Sequence, residues 1–128
     1  MIDRFRRFRM KKLFALGVCV ALVGCAEKAP LTPEEQWKGY CTSVGNAGRT
    51  IMLDRQNGIE KEKAVEHANK VDDETTRGFA LYAIEQVYAM PMAEISDDVK
   101  ARREAFKVVM TEKCLATPFT ELPDYKPF

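Results

Sequence analysis

The sequence predicts an all-α fold: a small four-helix, disulfide-closed domain with an extended Pro-rich C-terminal tail. Three observations support this fold class. Between residues 32 and 115, apolar residues recur at intervals of three and four, as on helices with one buried face. Residues typical of helix starts precede these segments, and no stretch alternates in the manner of a strand. Cys41 and Cys114 lie near the two ends of the region, where a bridge would join the first helix to the last.

The first helix is predicted to begin after Thr32 and to end at the Asn57-Gly58 stop signal. Thr32 is suited to the N-cap and Pro33 to the first helical position. Glu35 completes a capping box with Thr32. The helix is therefore expected to run to about Gln56.

One face of this helix is expected to be buried. It carries Trp37, Cys41, Val44, Gly48 and Ile51. A glycine on the buried face predicts that another helix crosses closely there. Because glycine lowers helix propensity by about 1 kcal/mol relative to alanine, a bend near Gly45-Asn46 is the alternative.

Three further helices are predicted. The second, over residues 59–71, is weak because its apolar set is thin. The third, about residues 73–90, is the most apolar after the N-terminal segment and is expected at the centre of the core. The fourth is capped by Ser96-Asp97-Asp98 and runs to about Cys114. Its inward residues are predicted to be Val99, Phe106, Val109 and Met110.

The tail, residues 116–128, contains three prolines that exclude a helix. Its apolar residues recur every third position, the period of polyproline II: Phe119, Leu122, Tyr125 and Phe128. The strip either packs on the helices and covers their open side, or is presented with Trp37 as a partner surface. We favour packing, because an exposed apolar strip is unfavourable.

The N-terminal segment has the pattern of an export signal. Basic residues occupy positions 4–12, and an apolar run from Leu13 ends at Leu22-Val23-Gly24-Cys25. The run is shorter than the roughly 20 apolar residues that a membrane-spanning helix needs, which disfavours an uncleaved anchor. The segment resembles a bacterial lipoprotein signal with its lipobox. That resemblance implies cleavage between Gly24 and Cys25, lipidation of Cys25 and stable anchoring by two or more acyl chains.

Together with the helical periodicity and the prolines of the tail, this resemblance predicts how the chain is organised. Residues 1–24 are a removed signal peptide, 25–31 a lipidated tether, 32–115 the helical domain and 116–128 the tail. Ala26, in place of the aspartate that retains such proteins at the inner membrane, implies the outer membrane and its periplasmic face. Both Met1 and Met10 are possible translation starts, since Met10-Lys11-Lys12 is itself a good basic region.

Export determines the expected charge and thiol chemistry. The signal segment holds six of the 20 basic residues and one of the 19 acidic residues, so the remaining 104 residues carry a formal net charge of −4. This charge gives no support for nucleic-acid binding. Cys19 leaves with the signal and Cys25 is lipidated, which leaves Cys41 and Cys114 as a pair expected to form a disulfide in an oxidising compartment.

Structural roles better explain the residues whose side chains are capable of catalysis or metal binding. His67 is the single histidine and lies among charged residues of the second helix, so a catalytic site or zinc site is not expected. The pairs Asp72-Asp73 and Asp97-Asp98 are placed at helix starts. Arg77 is expected to form a partly buried ion pair with Asp73, with an anion site as the alternative. We therefore expect no enzyme, no cofactor and no bound metal.

Several segments resemble small uncharacterised exported proteobacterial proteins. They are Trp37-Lys38-Gly39-Tyr40-Cys41, Ile51-Met52, Arg55-Gln56-Asn57-Gly58, Val87-Tyr88-Ala89-Met90-Pro91 and Cys114. A looser likeness is to periplasmic acid-stress chaperones, which are small helical domains with one bridge. The spacing of four between Trp37 and Cys41, the lipid anchor and the tail depart from that family.

The predicted function is binding rather than catalysis. We expect a domain held at the membrane by its N-terminal lipid that binds a protein partner or another envelope component. The alternative is a periplasmic chaperone or an inhibitor that blocks a lytic enzyme or excludes phage. That alternative needs an exposed apolar patch, for which Trp37 and the tail are the candidates.

Overall fold

The computed structural model describes residues 29–119 and 121–123, and the regular structure of these residues is entirely helical. The helices are α1 (Pro33–Gln56), α2 (Lys61–Asn69), α3 (Glu74–Ala89), α4 (Met92–Ser96) and α5 (Val99–Ala116). The all-α prediction is confirmed. The predicted count of four omitted α4, because a helix of five residues is too short to show a periodic pattern.

Helix α1 begins and ends where the sequence predicts. The Thr32 hydroxyl accepts a hydrogen bond from the Glu35 amide (3.2 Å), and the Thr32 amide donates to the Glu35 carboxylate (2.9 Å). Gly58, just past the C-terminal end, has a φ of 82°, which glycine adopts without strain. Between these ends α1 is one continuous helix through Gly45, so the alternative of a bend there is not adopted.

Helix α1 is the central element of the described fold. It contacts each of the other four helices, and its most extensive contact is with α5. The expectation that α3 lies at the centre is therefore wrong. The reason is that α1 is the longest helix, and small residues on one side of it let α5 approach closely.

The close crossing of α1 and α5 lies at two glycines. A Cβ atom at Gly48 would lie 2.6 Å from the Met110 Cγ. A Cβ atom at Gly45 would meet the Thr111 hydroxyl and would lie 2.9 Å from the backbone oxygen of Lys107. These contacts confirm that another helix crosses at Gly48.

The predicted disulfide joins these same two helices. Cys41 and Cys114 are bonded, their Cα atoms are 5.3 Å apart, and both residues are fully buried. The core around them is a single apolar cluster drawn from α1, α3, α4 and α5. Its members include Trp37, Tyr40, Val44, Met52, Phe79, Ala83, Val87, Ile95, Phe106 and Met110.

Two of the residues predicted to face inward on α5 are exposed instead. Val99 is 40% exposed and Val109 is 51% exposed. The buried positions are Phe106, Met110 and Cys114, which follow one another at intervals of four and so define a single face. Val109 lies about 100° away from Met110 around the helix and is excluded from that face.

The predicted ion pair between Asp73 and Arg77 is also corrected. The Asp73 carboxylate instead caps α3, accepting from the Thr76 amide (2.7 Å) and the Thr76 hydroxyl (2.6 Å). Arg77 donates to the carbonyl oxygen of Val71 (2.8 Å) and to that of Asp72 (3.4 Å). Both side chains satisfy backbone groups at the start of α3, which outweighs a pairing between them.

Candidate functional site

The polar contacts of helix α2 with the rest of the domain lie near its two ends. Before its first turn, the Tyr88 hydroxyl donates to the carbonyl oxygen of Ile59 (2.6 Å), and Lys61 forms a salt bridge with Glu85 of α3 (3.0 Å). After its last turn, the bond from Arg77 to Val71 fixes the α2–α3 connection. These contacts set the distance of α2 from α1 and α3.

The middle of α2 presents small side chains to α1 and α3. Ala64 and Ala68 face these helices, and Ala68 is the one buried residue of α2. Because alanine methyl groups do not fill the space between three helices, an apolar groove of about 510 Å³ remains. Its lining includes Tyr40, Val44, Gly48, Ile51, Ala64, Ala68, Val71, Phe79, Ala80, Ala83 and Ile84.

The floor of the groove is apolar, and a polar chain closes one end of it. Val44, Ala83 and Ile84 are each at most 4% exposed. Tyr40, Thr76 and Asp73 form consecutive hydrogen bonds: the Thr76 hydroxyl donates to Asp73 (2.6 Å) and lies 2.9 Å from the Tyr40 hydroxyl. Since the Thr76 proton is given to Asp73, Tyr40 is the donor to Thr76. The interior therefore offers dispersion contacts rather than reactive groups.

The rim of the groove carries the polar side chains. They are Ser43, Asn46, Thr50 and Asp54 of α1 and His67 of α2. Within the part of the chain that the structure describes, no basic side chain lies within salt-bridge distance of the Asp54 carboxylate. His67 is exposed.

Tyr88 lies next to this rim. Burial raises the pKa of the Tyr88 phenol, and the negative charge of Asp54 raises it further, against a smaller opposing effect of Arg55. The guanidinium carbon of Arg55 lies 4.9 Å from the centre of the Tyr88 ring. The Asp54 carboxylate thus lies close enough to Tyr88 to raise the pKa of its phenol.

We expect replacement of Tyr88 by Phe to lower the free energy of unfolding by about 1 kcal/mol, because the bond to Ile59 is lost. The pKa shift adds a pH dependence. Since the folded protein holds the phenol proton more tightly than the unfolded chain, the contribution of Tyr88 is complete below about pH 10 and is lost as pH rises through the raised pKa. Urea unfolding at neutral and alkaline pH should show a smaller alkaline loss in Tyr88→Phe than in the parent. An equal loss in both proteins would contradict this assignment.

The residues singled out in the sequence are brought together only in part. His67 lies at the groove rim, whereas Asp98 caps α5 by accepting from the Ala101 amide (3.2 Å). Among the described residues, no three His, Cys, Asp or Glu side chains are grouped as metal ligands.

Two members of the predicted partner surface pack together. The ring of Phe119 stacks on the indole of Trp37, with centroids 4.8 Å apart, and Trp37 stacks in turn on Tyr40 at 5.1 Å. Trp37 is 6% exposed, so the indole is covered in this arrangement, while Leu122 is 37% exposed. At Phe119, therefore, the chain packs on the helices and covers Trp37.

The remaining predicted site residues lie outside the described part of the chain. They are the cleavage and lipidation positions Gly24 and Cys25, and the tail residues Tyr125 and Phe128. Within residues 29–119 and 121–123, no helix combines the length and hydropathy of a membrane span.

The sequence did not predict the groove, although one signal was present. The apolar set of α2 is formed largely by alanines, and α3 contributes Ala80 and Ala83 to the facing side. Small residues on two neighbouring helices predict either close packing or a space, and the spacing of the helix axes decides between them.

Comparisons with known proteins identify no relative of this chain. No protein-family model, no curated protein and no solved structure matches it.

Proposed function

We propose that this protein is a lipid-anchored binding module of the cell envelope, which takes an apolar segment of an envelope component into the groove between α1, α2 and α3. The observation that carries the proposal is the groove itself. Its volume of about 510 Å³ lies within the range of roughly 300–1,000 Å³ that is usual for ligand sites. Its floor is apolar and its polar groups lie at the rim, as in a site that orients an amphiphilic ligand.

The construction of α2 supports binding. Its polar contacts with the rest of the domain lie at its ends, its one buried residue is the small Ala68, and the large core side chains come from the other helices. A helix held in this way can shift outward when a ligand enters without dismantling the core around the disulfide. The ligand then packs against α1 and α3 in place of the small alanines on the inner face of α2.

Attachment to the outer membrane through Cys25 would place this groove beside lipids and their precursors. The lipid anchor is tested by mass spectrometry of the protein from cells. The expected product begins at Cys25 and carries acyl chains. An intact, unacylated N-terminal segment would remove this part of the proposal.

Filling the groove tests the binding function. We expect Ala80→Phe to reduce labelling of α1 and α3 by a photoreactive long-chain alcohol about tenfold, since a loss of 1.4 kcal/mol in affinity corresponds to that factor. The matched control is Ala105→Phe, on the exposed side of α5 and outside the groove. Circular dichroism of both variants verifies the helical fold. Equal labelling of a folded Ala80→Phe variant would contradict binding in the groove.

A second candidate function is the chaperone or inhibitor role, in which an apolar surface captures another protein. The outward side of α5 favours it, since Val108, Val109 and Leu115 are 53%, 51% and 45% exposed. These residues lie away from the groove lining. Capture through α5 would therefore survive Ala80→Phe, which separates the two candidates.

A further inference from the structure

The charge at the groove rim is one-sided. Among the residues that line the groove, Asp54 is the one acid, His67 is the one histidine, and there is no lysine or arginine. Asp54 is partly exposed, and no basic side chain lies within salt-bridge distance of it in the described chain. A bound head group at this rim therefore meets a carboxylate that no cation neutralises.

The cations around the rim are engaged elsewhere. Lys61 is paired with Glu85 at 3.0 Å, and Lys70, the residue that follows α2, lies 3.9 Å from Glu66 of that helix. Arg55 lies over the ring of Tyr88. Lys63, on α2, is exposed and does not line the groove.

We propose that the groove selects single-chain amphiphiles whose head group is uncharged or cationic, and discriminates against anionic head groups such as a carboxylate. This inference rests on the proposed function and specifies its ligand class. The alkyl chain lies along the apolar floor between Val44, Phe79 and Ile84. The head group stays at the rim, where the Asp54 carboxylate accepts a hydrogen bond from a hydroxyl or pairs with an ammonium group.

Like charges explain the discrimination. A carboxylate head group would be brought next to Asp54 at the edge of an apolar cavity, where water screens their repulsion less than in bulk solution. The hydrophobic contribution of the alkyl chain is the same for every head group, so head-group charge alone alters the affinity. We expect about fivefold to tenfold weaker binding of the anion at low ionic strength, with a smaller factor at high salt.

The test uses the full chain in phosphatidylcholine nanodiscs. Three photoreactive probes share one alkyl chain with a terminal diazirine and differ in the head group: an alcohol, a trimethylammonium and a carboxylate. Peptide mass spectrometry locates the label on the helices. The variants are Asp54→Asn and, as the matched control, Asp72→Asn, which changes an exposed aspartate outside the groove lining.

We expect the alcohol probe and the trimethylammonium probe to label the groove helices more strongly than the carboxylate probe does. We also expect Asp54→Asn, but not Asp72→Asn, to remove most of the difference in labelling between the probes. Equal or stronger labelling by the carboxylate, or a difference that persists in Asp54→Asn, overturns the selectivity and leaves the binding function standing. Absence of groove labelling by all three probes overturns the proposed function itself.

Discussion

Replacement of both Cys41 and Cys114 by alanine should lower the free energy of unfolding by about 4 kcal/mol, the largest single effect expected in this domain. The bridge joins α1 to α5 across 73 positions, so it closes almost the whole described fold into one loop. Without it the unfolded chain gains the entropy of that loop. Since small domains are stable by only about 5–15 kcal/mol, the loss removes a large share of the stability. Urea unfolding followed by circular dichroism measures it.

Reduction of the native protein supplies the control for the cysteine variant. Both cysteines are fully buried, so a reductant should react slowly under native conditions and quickly in urea. Once reduced, the parent protein should unfold at nearly the same urea concentration as the double variant. An oxidised parent and a double variant with equal midpoints would show that the bridge contributes nothing to stability.

Gly45→Ala should destabilise the protein by up to about 2 kcal/mol, although alanine is the better helix former. The new methyl group would meet the Thr111 hydroxyl and would lie 2.9 Å from the backbone oxygen of Lys107. The threonine side chain can rotate, but the backbone oxygen belongs to α5 and moves only with the helix. Overpacking of this kind typically costs about 1–3 kcal/mol, which exceeds the gain of about 1 kcal/mol in propensity.

Gly39→Ala is the matched control on the same helix. A Cβ atom at Gly39 has no neighbour within 4 Å, so propensity alone acts and the variant should be about 1 kcal/mol more stable than the parent. Gly48→Ala should fall between these two, because its close contact is the flexible side chain of Met110. The three urea midpoints check this order. A Gly45→Ala protein as stable as Gly39→Ala would contradict the close approach of α5.

The sequence predicted less of the candidate site than of the fold. The sequence showed that α2 has a thin apolar face, and the structure places the alanines of that face opposite α3 with a cavity between them. Asp54 falls within a predicted helix, and none of its neighbours in the sequence marks it as a candidate site residue. Its importance arises from its position at the rim and from its influence on Tyr88, which is 34 positions away in the sequence.

Local sequence determined where α1 begins and ends and where α3 begins, because caps act within a few residues. The capping box at Thr32, the glycine after α1 and the aspartate before α3 are satisfied by neighbours in the chain. The sequence has four cysteines, and the Cys41–Cys114 pairing was predicted because Cys19 was expected to leave with the signal and Cys25 to be lipidated. Tertiary structure alone decided which helix is central and which valines of α5 are exposed. These outcomes depend on rotation and spacing between helices that are far apart in sequence, and no local pattern encodes those distances.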